Sequence, residues 1–126
     1  MPRTIKCRGL GYDGNWYYGY LVKEQGNTYI LYYNMKTALD IYELVNPDTV
    51  GQYTGIKDSY DDEIYEGDIV DIYYEDPNEF IIRYDDSECA FLVDNGEYIY
   101  RLGDFLPKDL EIIGTIHNHE RGSDDV

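Results

Sequence analysis

Apolar and polar side chains alternate along most of this chain, and the apolar runs are short and bounded by Gly, Asn, Asp and Pro. A period of two is typical of β-strands, whereas the wider spacing that marks an amphipathic helix is hard to find. We therefore predict a mainly β fold with at most one or two short helices. The predicted strands cover residues 4–10, 16–23, 28–34, 64–65, 69–74, 79–85, 90–93, 98–102 and 110–117.

Two stretches of the first half do not fit this pattern of predicted strands. Residues 35–44 contain Met, Lys, Ala and Leu, which favour a turn or two of helix, although Ile41 to Val45 predicts a strand equally well. Residues 46–58 are rich in turn-forming side chains, and Pro47 favours a short helical turn at its start. We expect the second stretch to divide the chain.

The predicted second strand has two distinct faces, because successive side chains of a strand point to opposite sides of the sheet. Its two sets are Trp16, Tyr18, Tyr20 and Val22 on one face, and Tyr17, Gly19, Leu21 and Lys23 on the other. We expect Trp16 to anchor a hydrophobic core.

The spacing of the strands predicts the architecture. Short strands repeated every 8 to 12 residues or so, with a turn between each pair, are typical of a small barrel or sandwich. We predict a small SH3-like barrel in residues 58–119, preceded by an N-terminal β-meander in residues 1–57. Residues 120–126 lack an apolar anchor and are predicted to form a mobile tail. A chain of 126 residues suits one compact unit.

Charge is distributed unevenly along the chain, which carries 26 acidic and 10 basic side chains and a formal net charge of −16. Residues 1–57 have a net charge of +1, whereas residues 58–126 have a net charge of −17. Binding to nucleic acid without sequence specificity depends on Lys and Arg that neutralise phosphates. We therefore expect no direct nucleic-acid partner.

The chain shows no feature of export or membrane insertion. Residues 1–10 lack the apolar segment of a signal peptide, and no apolar run approaches the roughly 20 residues that a membrane-spanning helix needs. Cys7 and Cys89 are too isolated for a redox motif or a disulfide framework. We expect reduced thiols, no membrane partner and a cytoplasmic location.

A specific run of residues resembles the signature of the YopX family of prophage proteins. The run covers residues 45–58 and continues with Glu-Ile-Tyr-Glu-Gly-Asp-Ile-Val at residues 63–70. The family pattern also has an early strand with Arg8-Gly9, a segment like Trp16 to Gly19, and a late strand like Ile113-Gly114. The resemblance covers roughly residues 4–118.

The resemblance implies a bacteriophage or prophage origin, chiefly in Gram-positive bacteria, and therefore the cytoplasm of a bacterial host cell. It also implies a β-rich fold with an SH3-like barrel, and it implies no activity. Its residues have a physical explanation as scaffold, since Thr54-Gly55 and Gly67-Asp68 are turn sequences. Scaffold is the favoured interpretation of the signature, and a recognition surface built on its loops is the alternative.

Candidate catalytic and metal-binding residues are few. His117 and His119, two apart on a predicted strand, face the same side and could contribute to a metal site with Glu111 or Glu120, but the pattern is not specific and a solvated surface pair is the favoured interpretation. The acidic clusters lack the spacing of a calcium-binding loop, and the chain lacks the known nucleophile and phosphate-binding motifs. We predict no catalytic residue, no metal site and no cofactor.

Sixteen tyrosines are the remaining unusual feature of the composition. Tyrosine suits a half-buried strand, and it is also enriched in protein interfaces. The leading hypothesis is a non-enzymatic phage accessory protein that binds a host or phage protein, or a second copy of itself. The alternatives are an acidic DNA mimic that inhibits a host DNA-binding or restriction protein, and a metal-dependent hydrolase. The predicted interaction surface comprises Trp16, Tyr17, Tyr18, Tyr20, Tyr53, Thr54, Asp58, Tyr65, Glu66 and Asp68.

Overall fold

The computed structural model describes residues 5–117. The strands form two antiparallel sheets, and the predicted mainly β class is confirmed. The chain divides into two compact units, with the boundary between Tyr53 and Thr54. No helix in the described residues is long and apolar enough to cross a membrane. The predicted tail at residues 120–126 and His119, the second histidine considered as a metal ligand, lie outside the described residues.

The first unit is built from sequential antiparallel strands. The strands are β1 (Cys7–Leu10), β2 (Trp16–Glu24), β3 (Asn27–Asn34), β4 (Leu39–Leu44) and β5 (Gly51–Lys57), and β5 continues into the second unit. Their order is β4-β3-β2-β1-β5. A 3₁₀ turn at Pro47–Thr49 precedes β5, and the Asn46 side chain caps it by accepting from the Asp48 backbone N–H.

Strand β2 changes partner halfway along its length. Its residues 16–19 pair with β1, and its residues 20–24 pair with β3. At the change of partner, a Cβ built on Gly19 would lie 2.1 Å from the Leu31 carbonyl oxygen. Glycine is therefore required where the two backbones approach. The side chain of the fully buried residue Ile30 would also lie 3.3 Å from this Cβ.

The structure decides one open alternative for the first unit and changes two expectations. Residues 39–44 form a strand, in line with the strand alternative, and no helix forms between Met35 and Leu44. The stretch 46–58, expected to be rich in turns, contains strand β5. Gly51 and Gly55 lie within that strand and not in turns. Trp16 does not anchor the core: it is half-buried, and the guanidinium carbon of Arg8 lies 4.4 Å from its ring centroid.

The second unit contains the end of β5 and six further strands. They are β6 (Glu63–Tyr65), β7 (Asp68–Asp71), β8 (Glu79–Asp85), β9 (Ala90–Asp94), β10 (Ile99–Arg101) and β11 (Glu111–Thr115). Five of them form one sheet in the order β10-β9-β8-β7-β11, and two 3₁₀ turns lie at Leu102–Asp104 and Pro107–Asp109. The core lies on one face of this sheet and consists of Ile64, Val70, Ile72, Phe80, Ile82, Val93, Leu102 and Leu110.

The five-stranded sheet is open, so the second unit is mainly β as predicted, but it does not close into the predicted SH3-like barrel. Within the described residues β10 and β11 are its two edges. Strand β10 has only three residues and leads directly into a 3₁₀ turn, so its backbone leaves the extended conformation that closure of a barrel requires. Three strands are shorter than expected, since β7 ends at Asp71, β10 spans only Ile99–Arg101 and β11 ends at Thr115. His117 is therefore outside β11.

Candidate interaction surface

The outer face of strands β2, β3 and β4 carries a row of aromatic side chains. Residues paired directly across an antiparallel ladder point to the same side, and Tyr20 pairs with Leu31, which pairs with Tyr42. This register places the following on one face: Tyr18, Tyr20, Val22, Tyr29, Leu31, Tyr33, Asp40, Tyr42 and Leu44. The opposite face contains the buried side chains Thr28 and Ile30.

Four tyrosines of this outer face are strongly exposed. The exposed fractions are 45% for Tyr18, 65% for Tyr20, 58% for Tyr33 and 57% for Tyr42. We call these four residues the tyrosine face. The rings of Tyr29 and Tyr42 make an edge-to-face contact with centroids 6.5 Å apart. This contact helps to hold Tyr42 in place.

Charged groups are scarce on this side of the sheet. The register puts only Glu24 and Asp40 on the same side as the tyrosine face within β2, β3 and β4, and both lie toward strand ends. On β1, Arg8 lies beside Tyr18, but it is buried and stacked on Trp16. The contact between Arg8 and Trp16 extends the aromatic row to β1. Because Arg8 is buried, it adds little exposed positive charge. The surface therefore offers aromatic area with phenol hydroxyls and little net charge.

Tyr17, a predicted surface residue, lies on the opposite side of β2. Its ring stacks on that of Tyr32, with centroids 5.7 Å apart, and its hydroxyl donates to the Asp13 carboxylate. That hydrogen bond is the main cause that raises the pKa of Tyr17 to about 12, and it lowers the pKa of Asp13. Tyr17 therefore fixes the turn between β1 and β2 and does not belong to the tyrosine face.

The substitution Tyr17→Phe is expected to raise the pKa of Asp13 toward its ordinary value of 3.8. In the native protein the bond stabilises the fold above pH 3.8, and this contribution is lost as pH falls through the lowered pKa. At high pH it is lost between pH 10 and about 12, as Tyr17 ionises. Carboxyl NMR titration of both proteins measures the shift. An unchanged Asp13 titration would show that the hydrogen bond is absent in solution.

Asp58 of the signature is a buried structural residue. It is 3% exposed, and its two carboxylate oxygens accept hydrogen bonds from the backbone N–H groups of Tyr60, Asp62 and Ile112. The bond to Ile112 links residues 54 positions apart in sequence. Asp58 therefore ties the loop after β5 to strand β11.

The rest of the signature is mostly structural as well. The Thr54 hydroxyl donates to the Ile64 carbonyl at 2.8 Å, and the Asp68 carboxylate accepts from the Tyr65 backbone N–H at 2.7 Å. Tyr53, Tyr65 and Asp68 are buried, and Thr54 and Glu66 are half-buried. Gly55 and Gly67 adopt φ angles of +85° and +94°, which explains glycine at both turn-like positions.

Many carboxylates of the acidic second unit serve its own structure. Those that accept hydrogen bonds from groups of this unit are Asp58, Glu63, Asp68, Asp71, Glu75, Asp85, Glu88 and Asp94. Two of these bonds are ion pairs, from Arg101 to Glu88 at 2.6 Å and from Arg83 to Asp94 at 3.1 Å. Two of these eight carboxylates, Asp58 and Asp68, are buried, and two others are neutralised by arginines.

The outer side of the five-stranded sheet carries a shallow groove of about 550 Å³. Its apolar wall is formed by Ile69, Ile81 and Ile116, and the Arg83–Asp94 ion pair lies at its side. No group of three or more His, Cys, Asp or Glu that could hold a metal occurs within residues 5–117. The groove therefore offers apolar contact area, with no cluster of metal ligands beside it.

The structure thus separates the ten predicted surface residues into two sets. Tyr18 and Tyr20 belong to the tyrosine face, and Trp16 borders it. The other seven are Tyr17, Tyr53, Thr54, Asp58, Tyr65, Glu66 and Asp68, none of which belongs to that face. The sequence prediction omitted Tyr33 and Tyr42. The hairpin registers supply the missing signal, since they place both residues on the same face of the sheet as Tyr20.

Comparisons with known proteins agree with this scaffold. The family model described as YopX protein matches residues 12–121, which is most of the chain. The chain belongs to the YopX family. This confirms the resemblance seen in the signature. A search of curated proteins gives no match to this YopX-family chain.

A solved structure has a similar fold. The crystal structure of protein EF1440 from Enterococcus faecalis superposes with a TM-score of 0.59 at 19% sequence identity. The match covers 94% of this chain and 97% of that chain. At this identity the likeness shows a common fold along nearly the whole of both chains, and it carries no functional residue from one protein to the other.

Proposed function

We propose that this YopX-family chain is a non-enzymatic phage or prophage accessory protein that binds another protein through its tyrosine face. The observation that carries the proposal is the exposure of Tyr18, Tyr20, Tyr33 and Tyr42 together on one side of a rigid sheet. Tyrosine provides large contact area at low entropic cost, and its hydroxyl hydrogen-bonds at the wet rim of an interface.

The size of the surface supports a binding role. At their exposed fractions the four tyrosines present roughly 500 Å² of surface, near the upper end for the largest patch of an ordinary monomer. Half-buried Val22, Tyr29 and Leu31 lie between them and make the area continuous. A standard interface buries roughly 800 Å² on each partner. The face therefore provides the centre of such an interface, with contacts around its rim supplying the rest.

The alternative of a DNA mimic has less support. A mimic needs an array of unpaired, solvent-facing carboxylates, whereas two of those in the second unit are buried and two are paired with arginines. The two binding modes differ in salt dependence, because binding between opposite charges weakens steeply as salt is added and apolar contact does not. Partner binding through the tyrosine face is expected to persist in roughly 0.5 M salt.

The test compares two tyrosines with matched exposure. Tyr20→Lys places a cation in the tyrosine face, whereas Tyr60→Lys makes the same change at a residue that is 69% exposed in the second unit. Tagged proteins are incubated with lysate of an infected or lysogenic host, and captured proteins are quantified by mass spectrometry. We expect Tyr20→Lys to reduce recovery of the partner by roughly tenfold or more, and Tyr60→Lys to leave it unchanged.

Two results would reject the proposed function. One is the absence of any protein captured above the level of a bait-free control. The other is equal recovery of a partner by wild type and Tyr20→Lys, which would place the binding site elsewhere. A partner lost steeply between roughly 0.05 and 0.5 M salt would favour the DNA mimic.

A further inference from the structure

Strand β4 is an exposed sheet edge that lacks three common protections against pairing, namely a Lys or Pro, a bulge and a very short length. It pairs with β3 over six residues in an unbroken register and contains no Lys, Arg or Pro. The edges of the five-stranded sheet are protected, because β10 has three residues and β11 is interrupted by an irregularity between Ile112 and Gly114. An unprotected edge is a template for pairing with another strand.

The hydrogen-bond pattern shows which backbone groups of β4 face outward. The Val45 N–H donates to the Thr28 carbonyl, so the odd-numbered residues before it, Glu43 and Ile41, also bond to β3. Hydrogen-bonded and non-bonded pairs alternate along an antiparallel ladder. Asp40 and Tyr42 therefore point their N–H and C=O groups away from β3, toward the open edge.

Local structure limits the open edge at both ends. Ala38 has a φ angle of +59°, so the extended conformation begins only after it. Beyond Leu44, Val45 forms a bridge with Gly11, and the Asn46 N–H donates to the Leu10 carbonyl at 2.9 Å. The part of β4 that can accept a new strand is thus centred on residues 40–42.

We propose that β4 pairs antiparallel with β4 of a second copy of this chain, with a two-fold axis at Ile41. In this arrangement Asp40 of each copy exchanges two backbone hydrogen bonds with Tyr42 of the other, giving four bonds in all. This inference rests on the proposed function in one respect. It names a second copy of the chain as a partner that binds at the edge of the tyrosine face.

The charged side chains of β4 favour this register over registers with the axis at a neighbouring residue. With the axis at Ile41, Asp40 lies opposite Tyr42 and Leu39 lies opposite Glu43, so no like charges face each other. An axis at Asp40 or at Glu43 would put two carboxylates directly opposite, which is destabilising. An axis at Tyr42 would pair Asp40 with Leu44 of the other copy. The edge beside Leu44 is limited, because the next residue, Val45, forms a bridge with Gly11.

The charge of the first unit also permits two copies to meet. Residues 1–53 contain five Lys or Arg and five Asp or Glu, so the unit that carries β4 is formally neutral. The exposed parts of Leu39, Tyr42 and Leu44 amount to roughly 300 Å², well below the area of a permanent interface. We therefore expect a weak, reversible dimer that tightens as salt screens the repulsion between the acidic second units of the two copies.

The first test changes the charge opposite Asp40. Tyr42→Glu puts a carboxylate opposite Asp40 at two symmetric positions, whereas Tyr42→Lys puts a cation there. Sedimentation equilibrium of the full chain up to roughly 1 mM is expected to show a dissociation constant about tenfold higher for Tyr42→Glu and no weaker association for Tyr42→Lys. A wild-type protein that stays monomeric, or equal weakening by both variants, would overturn the proposal.

The second test reads the register by cross-linking. In a Cys7→Ser/Cys89→Ser background, Ile41→Cys places two thiols on a non-hydrogen-bonded pair with Cα atoms about 4.5 Å apart, within disulfide range. We expect rapid oxidation to a covalent dimer for Ile41→Cys and slow oxidation for Tyr33→Cys. Equal rates would reject this register.

The two proposals fail separately. Tyr20 lies two strands away from the open edge, so Tyr20→Lys is expected to leave the dimer intact while it reduces partner capture. A monomeric protein that still captures a partner through the tyrosine face would reject only the strand pairing.

Discussion

Replacement of Asp58 by alanine is expected to lower the free energy of unfolding by about 4 kcal/mol, judged from the loss of three hydrogen bonds to a buried carboxylate. The N–H groups of Tyr60, Asp62 and Ile112 would lose their acceptor in a site where the Asp58 side chain is nearly sealed from solvent. Domains of this size are stable by about 5–15 kcal/mol, so the loss is a large fraction of the total.

Urea denaturation followed by far-UV circular dichroism measures this effect. Asp62→Ala is the matched control, because Asp62 is an exposed residue of the same loop and its backbone carbonyl still accepts from the Asp58 N–H. We expect the control to change stability by less than about 0.5 kcal/mol. Asp58→Asn keeps one oxygen acceptor and is expected to lie between the two. A stability of Asp58→Ala equal to that of the control would contradict the structural role of this carboxylate.

The role of Asp58 shows what the signature encodes. The turn glycines and the polar side chains beside them were predictable as scaffold, because positive φ angles and side-chain acceptors leave a mark in sequence. The partner Ile112, however, is 54 positions away, and no local pattern predicts that contact. The favoured interpretation of the signature as scaffold thus agrees with the buried positions of Asp58 and Asp68.

The strands were easier to predict than their partners. Strand β8 was predicted at its observed bounds. In the structure its buried residues Phe80 and Ile82 alternate with more exposed ones. Strand β5 was missed because Gly51 and Gly55 resemble turn residues, although Gly55 adopts positive φ inside a strand. Local composition does not distinguish a turn from an irregular strand when the irregularity depends on a neighbouring chain segment.

The candidate surface was predicted only in part for a related reason. Alternation correctly placed Tyr18 and Tyr20 on one side of β2, but the inward side was chosen wrongly because Trp16 was expected to be the core residue. A stacked Arg8 makes half-burial of the indole favourable, since the cation lies over the ring face. Tyr33 and Tyr42 join the surface only through the registers of two hairpins.

Gly19→Ala is expected to cause the second large loss of stability, at least about 3 kcal/mol by analogy with overpacked interiors. The added Cβ would lie 2.1 Å from the Leu31 carbonyl oxygen and 3.0 Å from its carbonyl carbon. Real Cβ atoms do not approach backbone this closely, and the obstacle is a strand backbone and not a flexible side chain. Strand β2 or β3 must therefore shift where β2 changes partner.

The same substitution links the fold to the proposed binding surface. Tyr18 and Tyr20 flank Gly19, and Tyr20 is paired with Leu31, so a shift at this point displaces the centre of the tyrosine face. Gly103→Ala is the control, because no atom lies within 4 Å of its added Cβ. We expect thermal unfolding to show a Tm lowered by at least about 10 °C for Gly19→Ala and little changed for Gly103→Ala. Similar Tm values for the two variants would mean that β2 and β3 do not approach as closely in solution as this register requires.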